Sequence, residues 1–589
     1  MSFVMSANNI SRGQATRQCH AICGDTSSRY WSVTGCRLAS RRPDQCHLHV
    51  LTLKPVAARA APLDHQNKSP PLSSSPEQTR RTQAMAAAVL SFIVALLLSV
   101  VAWSWKRRRS GSNNSNNDGL LPPSPRRLPV VGHLHLLGSL PHRGLRSIAA
   151  SHGPVLLLRL GRAPTVVVSS ASGTEEVMRA RDLAFASRPA SAMADRLMYH
   201  LLSARRTLSF RRVREQEAEK LVAQIRRRCC CSDSEPMDLV ELLVGYANNV
   251  VSRAAFGDES SRGLYEEDDD ADRGRRVREV LNEFQKLLAT QPVGEILPWL
   301  GCWVDAVTGL DRRVRRTFQA LDALLDKVIE DHRHRQSRRD FVEEDDRRDF
   351  VDVLLDVSRN EKEYGVRLGT NEIKAIILDM FAAGSDTTST AMEWAMAELV
   401  THPRAMRRIQ HEIRQAAVGE KHIDDKLPCL NAVIKEALRL HPPIPLLVPR
   451  QTLEDTELLG YRVPAGTRVV VNAWAIGRDP ATWGRDADEF VPDRFLLLGN
   501  NNGSTAAAEV DVDYKGQSFE LIPFGAGRRG CPGVGFAEQT VQTGLATLLY
   551  HFDWDPAPLD MTEMNGLTVH IKAGLHLRAK PWIPPSAPN

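Results

Sequence analysis

The sequence predicts a mainly α-helical chain with small β-sheets, tied to a membrane by one helix near its N-terminal end, and three observations predict it. Ala86 to Trp105 carries no charge and is long enough to cross roughly 30 Å of hydrocarbon. Asn371 to Val400 sets Ile373, Ile377, Met380, Gly384 and Thr387 at three- and four-residue steps, the spacing of one helix face, before Thr401-His-Pro403 stops it. Val155 to Leu160 and Thr165 to Ser169 are short aliphatic and β-branched runs split by Gly161-Arg-Ala-Pro164, the pattern of paired strands. At 589 residues, 42% hydrophobic and 25% charged, the chain is globular and long enough for a large core. A net charge of +6, spread along the chain, argues against a nucleic-acid partner.

Taken in order, Met1 to Ala84 has no periodicity and holds eleven Lys/Arg against four Asp/Glu, with many Ser, Pro and Gln. Two readings fit: an Arg-rich transit segment, or an extension ahead of a true start at Met85, the second preferred because a complete membrane signal follows it. Cys19, His20, Cys23, Cys36, Cys46 and His47 lack the paired knuckles of a zinc site. Trp103 and Trp105 sit where an interfacial belt belongs, and Lys106 to Arg109 place the downstream chain in the cytosol by the positive-inside rule. Ser110 to Leu121 is a polar linker, and Leu121 to Pro129 a stiff proline-rich hinge. Ten cysteines over this length, three of them adjacent at Cys229 to Cys231, indicate a reducing compartment without a disulfide framework.

Helical patterns follow over Leu208–Cys231, Met237–Phe256, Val277–Leu288 and Asp311–Arg335, while Val293 to Trp299 is apolar enough to touch a membrane or line an access route. The charge runs Glu266 to Asp270 and Glu343 to Asp349 read as solvated faces or loops. In the long helix, Asp386 and Thr387 beside Gly384 predict a local bulge where water sits. Pro428 to Leu440 is a second helix, stopped by His441-Pro-Pro443, with Glu436 and Arg439 placed to pair. Asn500 to Thr505 belongs to a low-complexity surface loop, and Val534 to Phe552 is a last helix.

Phe524-Gly-Ala-Gly-Arg-Arg-Gly-Cys531-Pro-Gly533 is the stretch that carries chemistry. A lone cysteine among glycines, behind two arginines and ahead of a helix N-terminus, reads as one thiolate offered to one metal centre. Glycines let backbone N–H groups turn toward the sulfur, and the helix end favours its anion. Phe524, Gly527, Arg529, Cys531 and Gly533 match the haem-binding signature of the cytochrome P450 superfamily, and Pro523 to Gly533 resembles its plant A-type branch. In that family the cysteine is the axial ligand of haem iron and pushes electron density toward O–O cleavage.

The resemblance runs from Leu121 to the C-terminus and implies a haem b monooxygenase of the endoplasmic reticulum membrane, single-pass, with a cytosolic catalytic domain over 130–589. It implies O2 as oxidant, electrons from an NADPH-cytochrome P450 reductase, and a small hydrophobic substrate such as a specialised metabolite. Cys531 would ligate iron, Arg529 and Arg450 would hold propionates, and Asp386 with Thr387 would relay protons. Glu436, Arg439 and Arg494 resemble a buried structural network that locks the cysteine loop. Ala383, Gly384, Ile444, Leu446, Leu447, Val448, Leu567 and Thr568 correspond to pocket positions. Asp493 stands where the family usually has Glu.

One departure is larger. After Phe185-Ala-Ser-Arg-Pro189 the family runs through a loop over the haem into a helix bearing Trp-x-x-x-Arg, whose side chains bind a propionate. Here Ser191 to Tyr199 passes directly to His200-Leu-Leu-Ser-Ala-Arg-Arg206, and no Trp lies between Trp105 and Trp299. A skipped exon in the gene model is preferred over a natural enzyme built this way. Two rival functions stay open: a haem-deficient, impaired chain, and a reductase-independent isomerase or dehydratase, which retention of Asp386 and Thr387 disfavours.

Overall fold

The computed structural model describes residues 121–583 apart from 187–201, 232–235, 266–278, 291–303, 339–347, 365–366, 418–426, 498–511 and a few single positions. The expected membrane span at 86–105, the zinc-like cluster, the apolar 293–299 stretch and the 266–270 charge run lie outside the described residues. Among the described residues no helix is long and apolar enough to cross a membrane.

Helices dominate. The first long one, α1 (Pro141–His152), starts on proline, whose missing N–H costs nothing at a first turn, and stops at Gly153 with φ +103. Its successors β1 (Val155–Leu160) and β2 (Ala163–Val168) form an antiparallel hairpin turned at Gly161, φ +60, with Val155 opposite Val168. Beyond the gap at 187–201 come α2 (Arg211–Cys231), the short β3 (Met237–Asp238) and α3 (Leu239–Tyr265). Gly257, φ +74, breaks the regularity of α3, and a Cβ there would meet the Asp349 carboxylate at 2.5 Å. Helix α4 (Leu310–Arg338) is followed by α5 (Phe350–Arg359), whose N-cap is Asp349, accepting from the Asp352 N–H at 2.8 Å.

The centre of the molecule is α6 (Thr370–Thr401), thirty-two residues packed along α3, its stretch from Ala391 to Val400 buried on every side. The helix runs unbroken through the expected bulge. Two threonines at this point bond back along the helix without interrupting its ladder: Thr387 Oγ1 donates to the Ala383 carbonyl at 2.6 Å and Thr390 Oγ1 to the Asp386 carbonyl at 2.7 Å. Then come α7 (Pro403–Ala416) and α8 (Pro428–Leu440), both entered on proline. The Glu412 carboxylate of α7 accepts the free N–H groups of Cys429 and Leu430 at the start of α8, at 2.9 and 3.2 Å.

Strands β4 (Arg450–Gln451), β5 (Thr456–Leu458), β6 (Tyr461–Val463) and β7 (Arg468–Val471) follow. The main sheet has the order β1-β2-β7-β4, with β2 and β7 parallel in register Val166 to Val469. Val166, Val167 and Val168 are buried, as an interior strand covered on both faces requires. Helix α9 (Val534–His551) closes the helical body, and β8 (Phe552–Trp554), β9 (His576–Leu577) and β10 (Ala579–Pro581) make small two-stranded pairs. The helical patterns read at Leu208–Cys231, Met237–Phe256, Asp311–Arg335, Asn371–Val400, Pro428–Leu440 and Val534–Phe552 are helices with ends moved by a few positions, and 277–288 is described only in part. Asp349 departs from the solvated face expected of its charge run: it is buried as a cap, and its other oxygen faces the His332 ring at 3.0 Å.

Candidate functional site

Cys531 lies in a loop held shut by its own backbone, with the Cys531 N–H donating to the Phe524 carbonyl at 2.9 Å. Inside that closure Gly525 and Gly527 take φ +65 and +67, and Gly527–Arg529 forms one 3-10 turn. The need for glycine differs between the two. A Cβ on Gly527 would stand 2.1 Å from the Met178 carbonyl oxygen, whereas one on Gly525 would meet only Leu447 Cδ1 at 3.9 Å. Phe524 is half-buried beside the Tyr514 ring, with centroids 5.5 Å apart. By surface area Cys531 is exposed, yet enough protein surrounds its sulfur that desolvation pushes the thiol pKa up. The Gly533 N–H, bonded to the sulfur, acts in the opposite direction, and α9 begins one residue later.

The fastening of this loop comes from a residue no motif singles out. Asp182 Oδ2 accepts the Arg528 N–H at 3.0 Å, and its Oδ1 accepts from Arg450 Nη1 at 3.0 Å. Arg450 Nη2 donates in turn to the Ala526 carbonyl at 2.8 Å. Arg450, expected to face a propionate, is therefore buried with two of its guanidinium nitrogens on Asp182 and the loop. Burial lowers its pKa, the Asp182 charge opposes this, and the charge of Arg529 adds to the lowering, which puts Arg529 close by.

Asp386 and Thr387 are adjacent in sequence but bond to different partners. The Asp386 carboxylate accepts from Thr568 through Oδ2 and lies 3.3 Å from His570 Nε2 through Oδ1. His570 Nδ1 reaches Glu393 Oε2 at 2.7 Å, and the Ile571 N–H donates to the other oxygen of Glu393 at 2.9 Å. Burial alone would raise the Asp386 pKa; the His570 and Thr568 hydrogen bonds and the His570 charge outweigh it and hold the carboxyl below its ordinary value. The structure thus joins two sequence-predicted residues, Asp386 and Thr568, through side chains 182 positions apart, and adds His570 and Glu393, which sequence reasoning missed. A charged Glu393 amid the buried Met392–Val400 run was the available signal, since a buried carboxylate needs a partner.

Glu436, Arg439 and Arg494 also come together. Arg439 Nε and Nη2 grip the two Glu436 oxygens at 2.7 Å each, and Arg494 Nε reaches Oε1 at 3.1 Å. Arg439 and Arg494 also donate to the carbonyls of Gly477, Trp483, Asp486, Ala487 and Glu489, Arg494 Nη2 reaches the Asp486 carboxylate at 3.3 Å, and the Val491 N–H donates to Glu436. Among the described bonds this network holds the 477–494 segment against α8, while the cysteine loop hangs on Asp182 and Arg450. The other pocket positions vary: Ile444, Leu446 and Leu447 are half-buried, Leu447 at φ +50, and Val448, Ala383 and Leu567 are exposed.

Comparisons with known proteins agree with this architecture. The family model described as Cytochrome P450 matches residues 122–201 and 192–577, and its two stretches meet where Trp-x-x-x-Arg is absent. Cytochrome P450 71A4 of Solanum melongena is 42% identical over 496 residues, covering 78% of this chain and 93% of that protein. Cytochrome P450 71A1 of Persea americana is 42% identical, covering 76% and 91%. Norfluorocurarine oxidase of a Strychnos species is 39% identical, covering 76% and 90%. A zebrafish cytochrome P450 solved with abiraterone has the same fold at TM-score 0.58 and 24% identity, over 76% of this chain and all of that one. With a mainly helical body, small sheets and Cys531 in a glycine-built loop ahead of its last long helix, the chain belongs to the plant A-type cytochromes P450, haem-thiolate monooxygenases that use haem b.

Proposed function

We propose that the chain is a membrane-tethered monooxygenase that inserts one oxygen atom of O2 into a small hydrophobic specialised metabolite. Electrons come from NADPH by way of a cytochrome P450 reductase. The second oxygen atom leaves as water, which takes two electrons and two protons. The observation that carries this reading is the Cys531 loop: one exposed thiol, a Gly533 N–H on its sulfur and a helix N-terminus behind it. Haem, when bound, supplies the activation of O2.

The residues present fit that group on the sulfur side. Cys531 would ligate the haem iron, with Phe524, Gly527 and Gly533 shaping the cradle and Arg529 holding an acidic ring substituent. Asp386 and Thr387 would handle protons, and Ala383, Gly384, Ile444, Leu446, Leu447, Val448, Leu567 and Thr568 would line the pocket. Residues 86–105 would anchor the catalytic domain, 130–589, to the cytosolic face of the endoplasmic reticulum, with 106–129 as linker and hinge and 1–84 outside the functional unit. The relative named norfluorocurarine oxidase supports a specialised-metabolite substrate.

A second reading is favoured by two observations: the divided family match, and Arg450 engaged with Asp182. Without the Trp-x-x-x-Arg segment the propionate edge has lost a clamp, and haem retention is impaired. The reduced carbon-monoxide difference spectrum separates the readings. A red-shifted thiolate band in the chain as given, abolished by Cys531→Ser, supports the first. Its absence, restored when the family's missing segment is inserted between 189 and 200, supports the second. An unchanged band in C531S refutes both.

A further inference from the structure

His570 has a carboxylate on each ring nitrogen. Nδ1 lies 2.7 Å from Glu393 Oε2 and Nε2 3.3 Å from Asp386 Oδ1, both acids coming from α6. A neutral imidazole carries one N–H and could satisfy only one of them, so two acceptors on opposite nitrogens call for the doubly protonated cation. Thr390 of α6, 3.3 Å from Nε2, and Thr568 of the histidine's own turn add hydroxyls, and no other charged side chain is bonded to the ring among the described residues. The same turn is fastened to α6 twice more: the Ile571 N–H donates to Glu393 Oε1 at 2.9 Å, and Trp394 Nε1 donates to the Val569 carbonyl at 2.7 Å.

We propose that His570 is a positioning residue for proton delivery: as a fixed cation it holds the Asp386 carboxylate ionised and oriented, and it ties that carboxylate to the 564–571 turn that carries the proposed pocket positions Leu567 and Thr568. The proposal rests on the reading of Asp386 and Thr387 as the proton-handling pair. Burial disfavours charge on His570, but the hydrogen bonds and charges of Asp386 and Glu393 outweigh it and lift its pKa to about 10. The ring therefore stays charged across the working pH range. Proton supply and the placement of the turn share one ion cluster, so a movement of the turn by substrate also moves the carboxylate. Glu393 is the anchor of the cluster, because it is buried and holds both His570 and the turn's backbone.

The first experiment reads the clamp without any catalysis. Histidine C2 deuterium exchange on the full chain, followed by mass spectrometry from pH 5 to 11, gives the titration of His570 against the ordinary histidine value of about 6.5. His570 is expected to titrate at least about two pH units above that value, and E393Q and D386N each to lower it by about one unit or more. Titration of His570 at the ordinary histidine value overturns the proposal. The second experiment measures NADPH oxidation with reductase and the peroxide released per NADPH. His570→Gln is expected to slow oxidation about tenfold and raise the peroxide fraction, as a displaced proton donor would. His570→Arg, a permanent cation with donors for two carboxylates, is expected to restore both. H570Q matching the parent while D386N is impaired refutes the clamp and keeps the relay. D386N and T387A both matching the parent refute the relay, with the exchange result standing by itself.

Discussion

Replacing Gly527 with Ala tests whether the cysteine loop is fixed by close backbone approach, and Gly525→Ala supplies the control from the same loop. Both residues have nearly the same φ, +65 and +67, so the conformational penalty of a Cβ there, about 1–2 kcal/mol, is common to both variants. Only Gly527 faces an obstacle. Its Cβ would stand 2.1 Å from the Met178 carbonyl and 3.1 Å from Asp182 Oδ1. Met178 is buried in the single π-turn Glu176–Ala180, so its carbonyl has little room to retreat, and overpacking of this kind costs about 1–3 kcal/mol more. Displacing Asp182 also loosens its bonds to Arg528 and Arg450. In urea unfolding, with a slope of about 2–3 kcal/mol/M, G525A should lower the midpoint by under about 1 M and G527A by about 1–2 M. The thiolate carbon-monoxide band should weaken in G527A before it weakens in G525A. Equal losses in the two variants would refute the assignment of Gly527 to a steric requirement and leave strain alone.

Two further outcomes follow from buried charge. Glu436→Ala leaves Arg439, fully buried, with carbonyls for partners but no counter-charge, which should cost about 3–5 kcal/mol in urea unfolding. A loss under 1 kcal/mol would show that the carbonyls of Gly477, Ala487 and Glu489 alone carry the guanidinium. At the other end of the molecule burial would depress the His332 pKa, and the Asp349 hydrogen bond and charge more than offset it, leaving the pKa raised despite Arg335 nearby. A group whose folded pKa exceeds 6.5 stabilises fully below that pH and loses its contribution as pH rises through the folded value. Heat-denaturation midpoints should therefore fall more between pH 6 and 9 for the parent than for His332→Asn, and parallel curves would contradict the pairing.

What the sequence made legible is what is encoded locally. Pro428 at a first turn and His441-Pro-Pro443 at the end bound α8 to the residue, and two short aliphatic and β-branched runs with Gly161 between them mark the β1–β2 hairpin. The glycines of the cysteine loop announced a tight turn because positive φ leaves few other choices. Asp182, His570 and Glu393 were not legible, because each acts on residues 170 or more positions away: Asp182 on Arg450 and Arg528, and His570 on Glu393. Asp349 was hidden for another reason, its burial being masked by the solvated composition of its own charge run. The expected bulge in α6 failed because Thr387 and Thr390 found acceptors four residues back, which leaves helix geometry intact.

The two faces of the candidate site thus rest on unlike supports, and this decides what the departure near 189–200 costs. The sulfur side is fastened from within the described chain: Asp182 holds the Arg528 N–H and Arg450, and Arg450 holds the Ala526 carbonyl. None of these three bonds passes through the absent Trp-x-x-x-Arg segment, so the loop keeps its shape in its absence. The side proposed to handle protons is likewise closed on itself, from α6 to the 564–571 turn through His570. What lacks support is the proposed propionate contact, since Arg450 already has a carboxylate partner and Arg529 is the other proposed donor. A lesion of that kind weakens cofactor retention without unfolding its cradle. The chain as given should therefore match a segment-restored chain closely in urea midpoint when both are free of haem, and fall below it once haem is supplied, because a ligand stabilises only the folded state that binds it.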